Sequence, residues 1–347
     1  MPAKRRIGAY GAWHDTHRQG LRVALAISVG FCWSVYTGAI IPFLGPFFAA
    51  QFLLGNSRPL SLPKALALIV IVLVAGIILQ FIMGVSGHRP MILLLILGII
   101  YFFCFYLQAT ARIVGPPVFF VLVVAVMVPL LSILNRDLSA SILSILVQGV
   151  VSGTLLMWIM HALIPNKPGI EPAPVAAVPN PDAMRIAATS AVILLIAVVA
   201  CLTLDGLSAA IVIPITVVSV LLQGDVVSSS RTALGLVMVN LFGGVVASMA
   251  FAVFQLRPGP IFLFLILLLV GLMLGGRAAQ NDPKAKLFAG ALTIFLVVFG
   301  VGVSPIPGSA AESFSTRIVF VLGAIAYTIF MAALLWSGKK NQAESLA

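Results

Sequence analysis

Few residues in this 347-residue chain combine a reactive type with a setting that chemistry could use. Asp205 stands in Leu202-Thr203-Leu204-Asp205-Gly206, between two apolar runs. An ionisable group at the edge of a membrane span is a functional candidate, here as a proton-binding carboxylate or a gate. Asp-Gly is also a common turn pair, and a plain turn is the simpler account. His161, in Trp158-Ile159-Met160-His161, titrates near neutral pH and is suited to a proton relay. A packed histidine at a helix end is the simpler alternative. Arg22 and Arg185 open two apolar runs in similar contexts, GLRVALA and AMRIAAT. Two permanent cations so placed would draw an organic anion, or would anchor their helices to the headgroups. Together with the proline and phenylalanine residues discussed below, these are the candidate site.

Other polar residues offer less. Arg136-Asp137 and Glu312 with Arg317 precede the last apolar run of each half, as helix-start charges or as a landing place for an adaptor. Gln148, Ser152, Thr154 and Asn240 lie within apolar runs and either line a path or bond across helices. No G-x-x-x-x-G-K-[ST] loop is present to cradle ATP phosphates. Neither H-E-x-x-H nor G-x-S-x-G occurs. Cys32, Cys104 and Cys201 all fall in apolar runs without metal spacing. The expectation is no enzyme, no metal and no cofactor.

The elements that hold these residues follow from composition. The chain is 61% hydrophobic and only 8% charged, with a mean hydropathy of +1.19. Soluble domains carry about 25% charged residues, so this chain cannot cover a water-facing surface. Apolar runs near 20 residues recur, long enough to cross a hydrocarbon core about 30 Å thick. The expected fold is an all-α polytopic membrane protein of about twelve spans: 20–37, 38–55, 64–84, 90–109, 116–134, 139–163, 184–203, 205–223, 231–255, 260–276, 285–303 and 314–336. The basic opening of about 20 residues lacks an A-x-A-like cleavage site after the first run, so the first span is expected to stay uncleaved.

Placement of cations tests that count. Sixteen of the 20 Lys and Arg fall on one side of the twelve-span scheme and four (Arg89, Arg136, Arg257, Arg317) on the other. The positive-inside rule then puts both termini in the cytoplasm. It also assigns most of the net charge of +11 to anionic headgroups, with no nucleic-acid partner.

One stretch interrupts the apolar pattern, IPNKPGIEPAPVAAVPNPDAMR from Ile164 to Arg185, with six prolines. Such a run reads as an extended linker. It divides the chain into a first repeat at 1–163, a Pro-rich cytoplasmic linker at 164–183 and a second repeat at 184–347. Weak matches recur in the same order across it. Arg22 pairs with Arg185, Lys64 with Arg231, Arg89-Pro90 with Arg257-Pro258, and Met157-Trp158 with Leu335-Trp336. Six spans per half make the copies parallel, related by an axis along the membrane normal. In each copy the second span is interrupted by proline, at Pro42 and Pro46 in Ile41-Pro42-Phe43-Leu44-Gly45-Pro46-Phe47-Phe48 and at Pro214 in Ile213-Pro214-Ile215. Interrupted helices at matching positions point to a substrate site. Phe43, Phe47 and Phe48 would offer it aromatic surface, or would simply pack.

Six spans, a linker and six more, with a basic residue opening the first span of each half (Arg22, Arg185) and Arg231 followed by Gly235 and Gly243-Gly244, resemble the fusaric acid resistance and aromatic acid exporter superfamily. Many members carry a large soluble domain after the sixth span; here only the short linker stands there. The resemblance implies a secondary, proton-driven exporter of small aromatic or otherwise amphipathic organic acids in the bacterial inner membrane, working with a periplasmic adaptor of the membrane-fusion type. Self-association is left open. The competing expectation is a non-transporting scaffold of an envelope complex, favoured by the scarcity of intramembrane carboxylates. A lipid-modifying enzyme would need a catalytic cluster, and none is recognisable.

Overall fold

A computed structural model describes residues 3–55, 58–87, 89–110, 112, 116–134, 141–165, 182–204, 212–222, 230–280, 282, 284–304 and 314–336. Among the described residues there are twelve helices and no strand. They are α1 (Ala3–Tyr36), α2 (Leu44–Gly55), α3 (Leu62–Ser86), α4 (Pro90–Ala109), α5 (Pro116–Leu134), α6 (Ile142–Leu163), α7 (Ala183–Thr203), α8 (Val212–Leu222), α9 (Ser230–Leu256), α10 (Pro260–Ala278), α11 (Ala285–Val303) and α12 (Phe314–Trp336). Five of them, α3, α4, α6, α7 and α10, are long and apolar enough to cross a membrane. The protein is built as a membrane-embedded helical chain.

Local chemistry explains the helix ends. Proline opens α4, α5 and α10, where its missing N–H is no loss and its fixed φ suits the first turn. The end of α1 is closed by Gly38 at φ +70°. Its N–H donates to Val35 O (3.1 Å) while Ala39 N–H donates to Ser34 O (2.9 Å). This pair of bonds is the Schellman arrangement, and glycine is the residue that adopts the left-handed conformation it needs at no steric cost.

Two expected boundaries move. The first helix begins at Ala3, so the basic opening continues the first span as helix. The second does not run from 38; α2 starts at Leu44. Pro42 lies ahead of that helix and Pro46 in its first turn, and Pro214 likewise sits in the first turn of α8. Pro42 and Pro46 therefore mark a late helix start and do not break a helix in mid-course. At 12 residues, α2 is too short to span alone. Most of the linker, 166–181, lies outside the described residues.

The chain forms two compact units. One comprises Met1–Ile69, Val147–Val175 and Phe242–Phe314. There α1 packs on α2 and α10, α10 packs on α11, and α11 packs on α2. Its core holds a cluster of rings around Phe299, stacked with Phe295 at 5.5 Å and edge-on to Phe31 at 5.6 Å. The α1–α10 contact is very close. Gly20 faces Gly276 and Gly271 faces Ala24 backbone to backbone, and α10 takes a π turn at Gly271–Gly275 along that contact. Small residues of this kind let membrane helices approach where no aqueous hydrophobic effect drives them together.

The other unit comprises Val70–Leu146, Ala176–Leu241 and Ser315–Ala347. There α7 packs on α4 and α8, α4 packs on α5, and α5 packs on α8. Tyr101 of α4 donates its hydroxyl to Ala125 O of α5 (3.2 Å), and Tyr327 of α12 donates to Ile193 O of α7 (2.9 Å). Each unit draws helices from both sides of the proline-rich linker.

Candidate functional site

The two arginines do the same local work in their respective units. Arg22 is 1% exposed. Its Nε and Nη2 both donate to Ile164 O, at 2.8 and 2.6 Å, and Nη1 donates to Gln19 Oε1 at 2.7 Å. Gln19 in turn donates to Leu53 O at the end of α2, and Arg18 donates to Pro165 O at 3.2 Å. The last carbonyls of a helix lack intrahelical donors and carry the negative end of its dipole. A guanidinium forked onto Ile164 O thus closes α6 with matched charge. Arg185 repeats the pattern more weakly, donating Nη2 to Leu335 O near the end of α12 at 3.1 Å. In this state the pair is engaged in closing helices.

His161 sits on α6, one turn before that closure, and is buried. Its Nδ1 lies 2.9 Å from Met157 O, a geometry that suits an Nδ1–H tautomer donating to the carbonyl one turn back. Nearby, Trp158 donates Nε1–H to Leu60 O (2.8 Å), tying the chain ahead of α3 to the same end of α6. Asp205 lies outside the described residues, as do Arg136, Asp137 and Glu312.

The phenylalanines beside Pro42 and Pro46 are packed. Phe43, Phe47 and Phe48 are all buried. Phe43 fits against Gly300 of α11, and Phe48 fits against Gly149 and Gly153 of α6. A methyl group at Gly153 would stand 2.7 Å from Phe48 Cβ, so that contact depends on glycine. On the same helix as these rings, Gln51 donates to Thr293 Oγ1 of α11 at 2.8 Å.

The matching region of the second unit is different. Registered on Ile41-Pro42 and Ile213-Pro214, the three phenylalanines fall opposite Ile215, Ser219 and Val220. Here α7, the start of α8 and α12 border a cavity of about 380 Å³. Ala200 and Cys201 of α7, Ile213 of α8, and Val319, Gly323 and Tyr327 of α12 line it. Ile213 immediately precedes Pro214, so the first described turn of α8 stands at the cavity wall. Sequence reading reached the wall through the Ile-Pro pair but not the cavity, because α12 approaches α7 only in three dimensions.

One turn beyond Ile213, Thr216 is 2% exposed and its Oγ1 has no hydrogen-bond partner among the described residues. A buried hydroxyl without a partner costs about 1–3 kcal/mol. Thr216→Val keeps the shape and removes that loss. It should raise stability by about 1 kcal/mol, seen as a higher thermal unfolding midpoint in detergent. A lower midpoint would mean that the hydroxyl has a partner the geometry does not show.

Among the described residues no three His, Cys, Asp or Glu gather as a metal site.

Residues 19–164 match the family model described as "Protein of unknown function (DUF2955)". The matched segment runs from Gln19, beside Arg22, to Ile164, whose carbonyl Arg22 holds. No curated protein and no solved structure matches the chain.

Proposed function

We propose that this protein is a secondary exporter of small organic acids, aromatic ones foremost, built from two parallel six-helix copies in the bacterial inner membrane. The observation that carries the reading is the shared internal plan of the two units. In the first, α1 packs on α10, α10 on α11 and α11 on α2. In the second, α7 packs on α4, α4 on α5 and α5 on α8. Shifting each helix by six positions turns one set of contacts into the other. First, second and sixth helices of one copy combine with third, fourth and fifth of the other. Arg22 on α6 and Arg185 on α12 fit the same correspondence. So does the family match, which covers one copy from its first helix to the end of its sixth.

Repeats of this kind, with proline-marked helices at matched places, are how many secondary transporters build a site that alternates between two sides. The chain has no phosphate-binding loop, so the energy source in this reading is an ion gradient, with protons the first choice. Asp205 and His161 are the coupling candidates. Both termini lie in the cytoplasm, and a periplasmic adaptor completes the export route.

Efflux of a panel of hydroxybenzoate-like acids, compared between cells lacking and expressing the protein, tests this. Expression should lower intracellular acid, and dissipating the proton gradient should abolish the difference. Unchanged levels across the panel would refute export. A scaffold role is the second reading, supported by the engagement of both arginines in helix closure. It predicts no efflux and co-purification with an envelope complex. With Asp205→Asn and His161→Gln combined, export that keeps its full proton dependence would remove both residues as coupling sites.

A further inference from the structure

The cavity between α7, α8 and α12 has a lining that calls for a ligand of definite chemistry. Its volume of about 380 Å³ exceeds twice that of an engineered pocket of about 150 Å³ that binds benzene. Every described lining side chain is apolar apart from the Cys201 thiol and the Tyr327 hydroxyl, and the latter donates its proton to Ile193 O. Among the described residues no cation or carboxylate lines it, so a carboxylate set against these walls would lose its hydration without a partner among them. An anionic headgroup would gain nothing from these walls for the same reason.

The mouth of the cavity identifies what reaches it. Val319, on its rim, is 63% exposed. Val192 and Ile196 on the adjoining face of α7 are exposed too. In a helix long and apolar enough to cross the membrane, the medium meeting such a face is hydrocarbon. Depth agrees. Ile196 lies seven residues before the end of α7, or about 10 Å at 1.5 Å per residue. That is within one leaflet of a core about 30 Å thick.

We propose that this cavity is a binding site for one acyl chain of a bilayer phospholipid, with the chain seated between α7 and α12 and the headgroup left at the helix ends. The proposal does not depend on the export reading.

The test uses the full-length protein in nanodiscs of phosphatidylethanolamine and phosphatidylglycerol, doped with a phospholipid carrying a diazirine at mid-chain. After irradiation, adducts are mapped by peptide mass spectrometry. Adducts over 196–201 and 319–327 should be about tenfold denser than over the equally exposed face of α3 at Leu66, Val70, Val74 and Ile77, as expected of a site favoured by about 1.4 kcal/mol over bulk lipid. Gly323→Leu fills the space, since a Cβ there meets nothing within 4 Å, and leucine favours helix over glycine. It should bring adducts at the site down to the α3 level, and Ala200→Phe should do the same from the opposite wall. Equal labelling of the site and α3, or labelling untouched by both fillings in folded protein, would overturn the proposal. So would displacement of the adducts by 4-hydroxybenzoate, which would assign the cavity to an aromatic acid.

Discussion

Arg22→Leu is expected to destabilise the protein by about 3–5 kcal/mol, and Arg185→Leu by about 1–2 kcal/mol. The difference follows from geometry. Arg22 is buried and places two charge-assisted bonds on one carbonyl and a third on Gln19. Removing it strands Ile164 O at a helix end, where nothing within the helix can donate. Arg185 is less buried and makes one bond of 3.1 Å to Leu335 O. Arg22→Lys should fall between, because an ammonium keeps the charge but cannot reproduce the planar fork. Thermal unfolding in detergent orders the three variants. Equal losses for Arg22→Leu and Arg185→Leu would show that the forked bond is not what matters. If instead both variants unfold like the parent and differ only in a raised KM for export, the arginines act on the substrate and their helix closure is incidental.

The second large effect concerns the glycines where backbones touch. Gly20→Ala would bring a Cβ 2.7 Å from Gly276 Cα, and Gly271→Ala would bring one 2.8 Å from Ala24 Cα. Gly243→Ala would press on the Ala291 backbone, 2.9 Å from its Cα. In each case the obstacle is main chain, which cannot turn aside as a side-chain tip can. The helices must separate, at about 1–3 kcal/mol or more per site. Alanine gains about 1 kcal/mol over glycine in a helix, which offsets only part of this. Gly84→Ala in α3 is the control, since its Cβ meets nothing within 4 Å, and it should gain up to about 1 kcal/mol. Unfolding midpoints that fail to separate Gly84→Ala from the other three would refute the close-approach argument.

How far these features were legible in the residues depends on the range of the force involved. Helix ends set by local chemistry were readable: Pro90, Pro116 and Pro260 each open the expected helix, and α11 and α12 have the bounds that the apolar runs gave. Pro42 and Pro46 belong to a helix start, where the apolar run suggests an interruption within a span. A proline reads the same in sequence whether the helix stops at it or begins with it. The packing partners of the helices were not readable at all. In a membrane every apolar helix presents much the same surface, so α1 gives no sign of choosing α10. For the same reason the packing of Phe43 on Gly300 and the space beside Tyr327 escaped notice. The pairing of Arg22 with Arg185 was visible as a repeat. The acceptors, Ile164 O and Leu335 O, were not, since a backbone carbonyl has no letter in the sequence.

The exchange of helices across the linker also bears on how the chain is made. When the ribosome reaches residue 163, α3, α4 and α5 are in existence, but α7, α8 and α12 of their compact unit are not. The waiting works in both directions, since α10 and α11, which complete the unit begun by α1 and α2, come later still. Neither half can mature alone during synthesis. Until the second six helices arrive, polar groups that the first six present to them stay unmatched: Gln51, which donates to Thr293 of α11, and Gln108 of α4, which donates to Leu222 O of α8 at 3.2 Å.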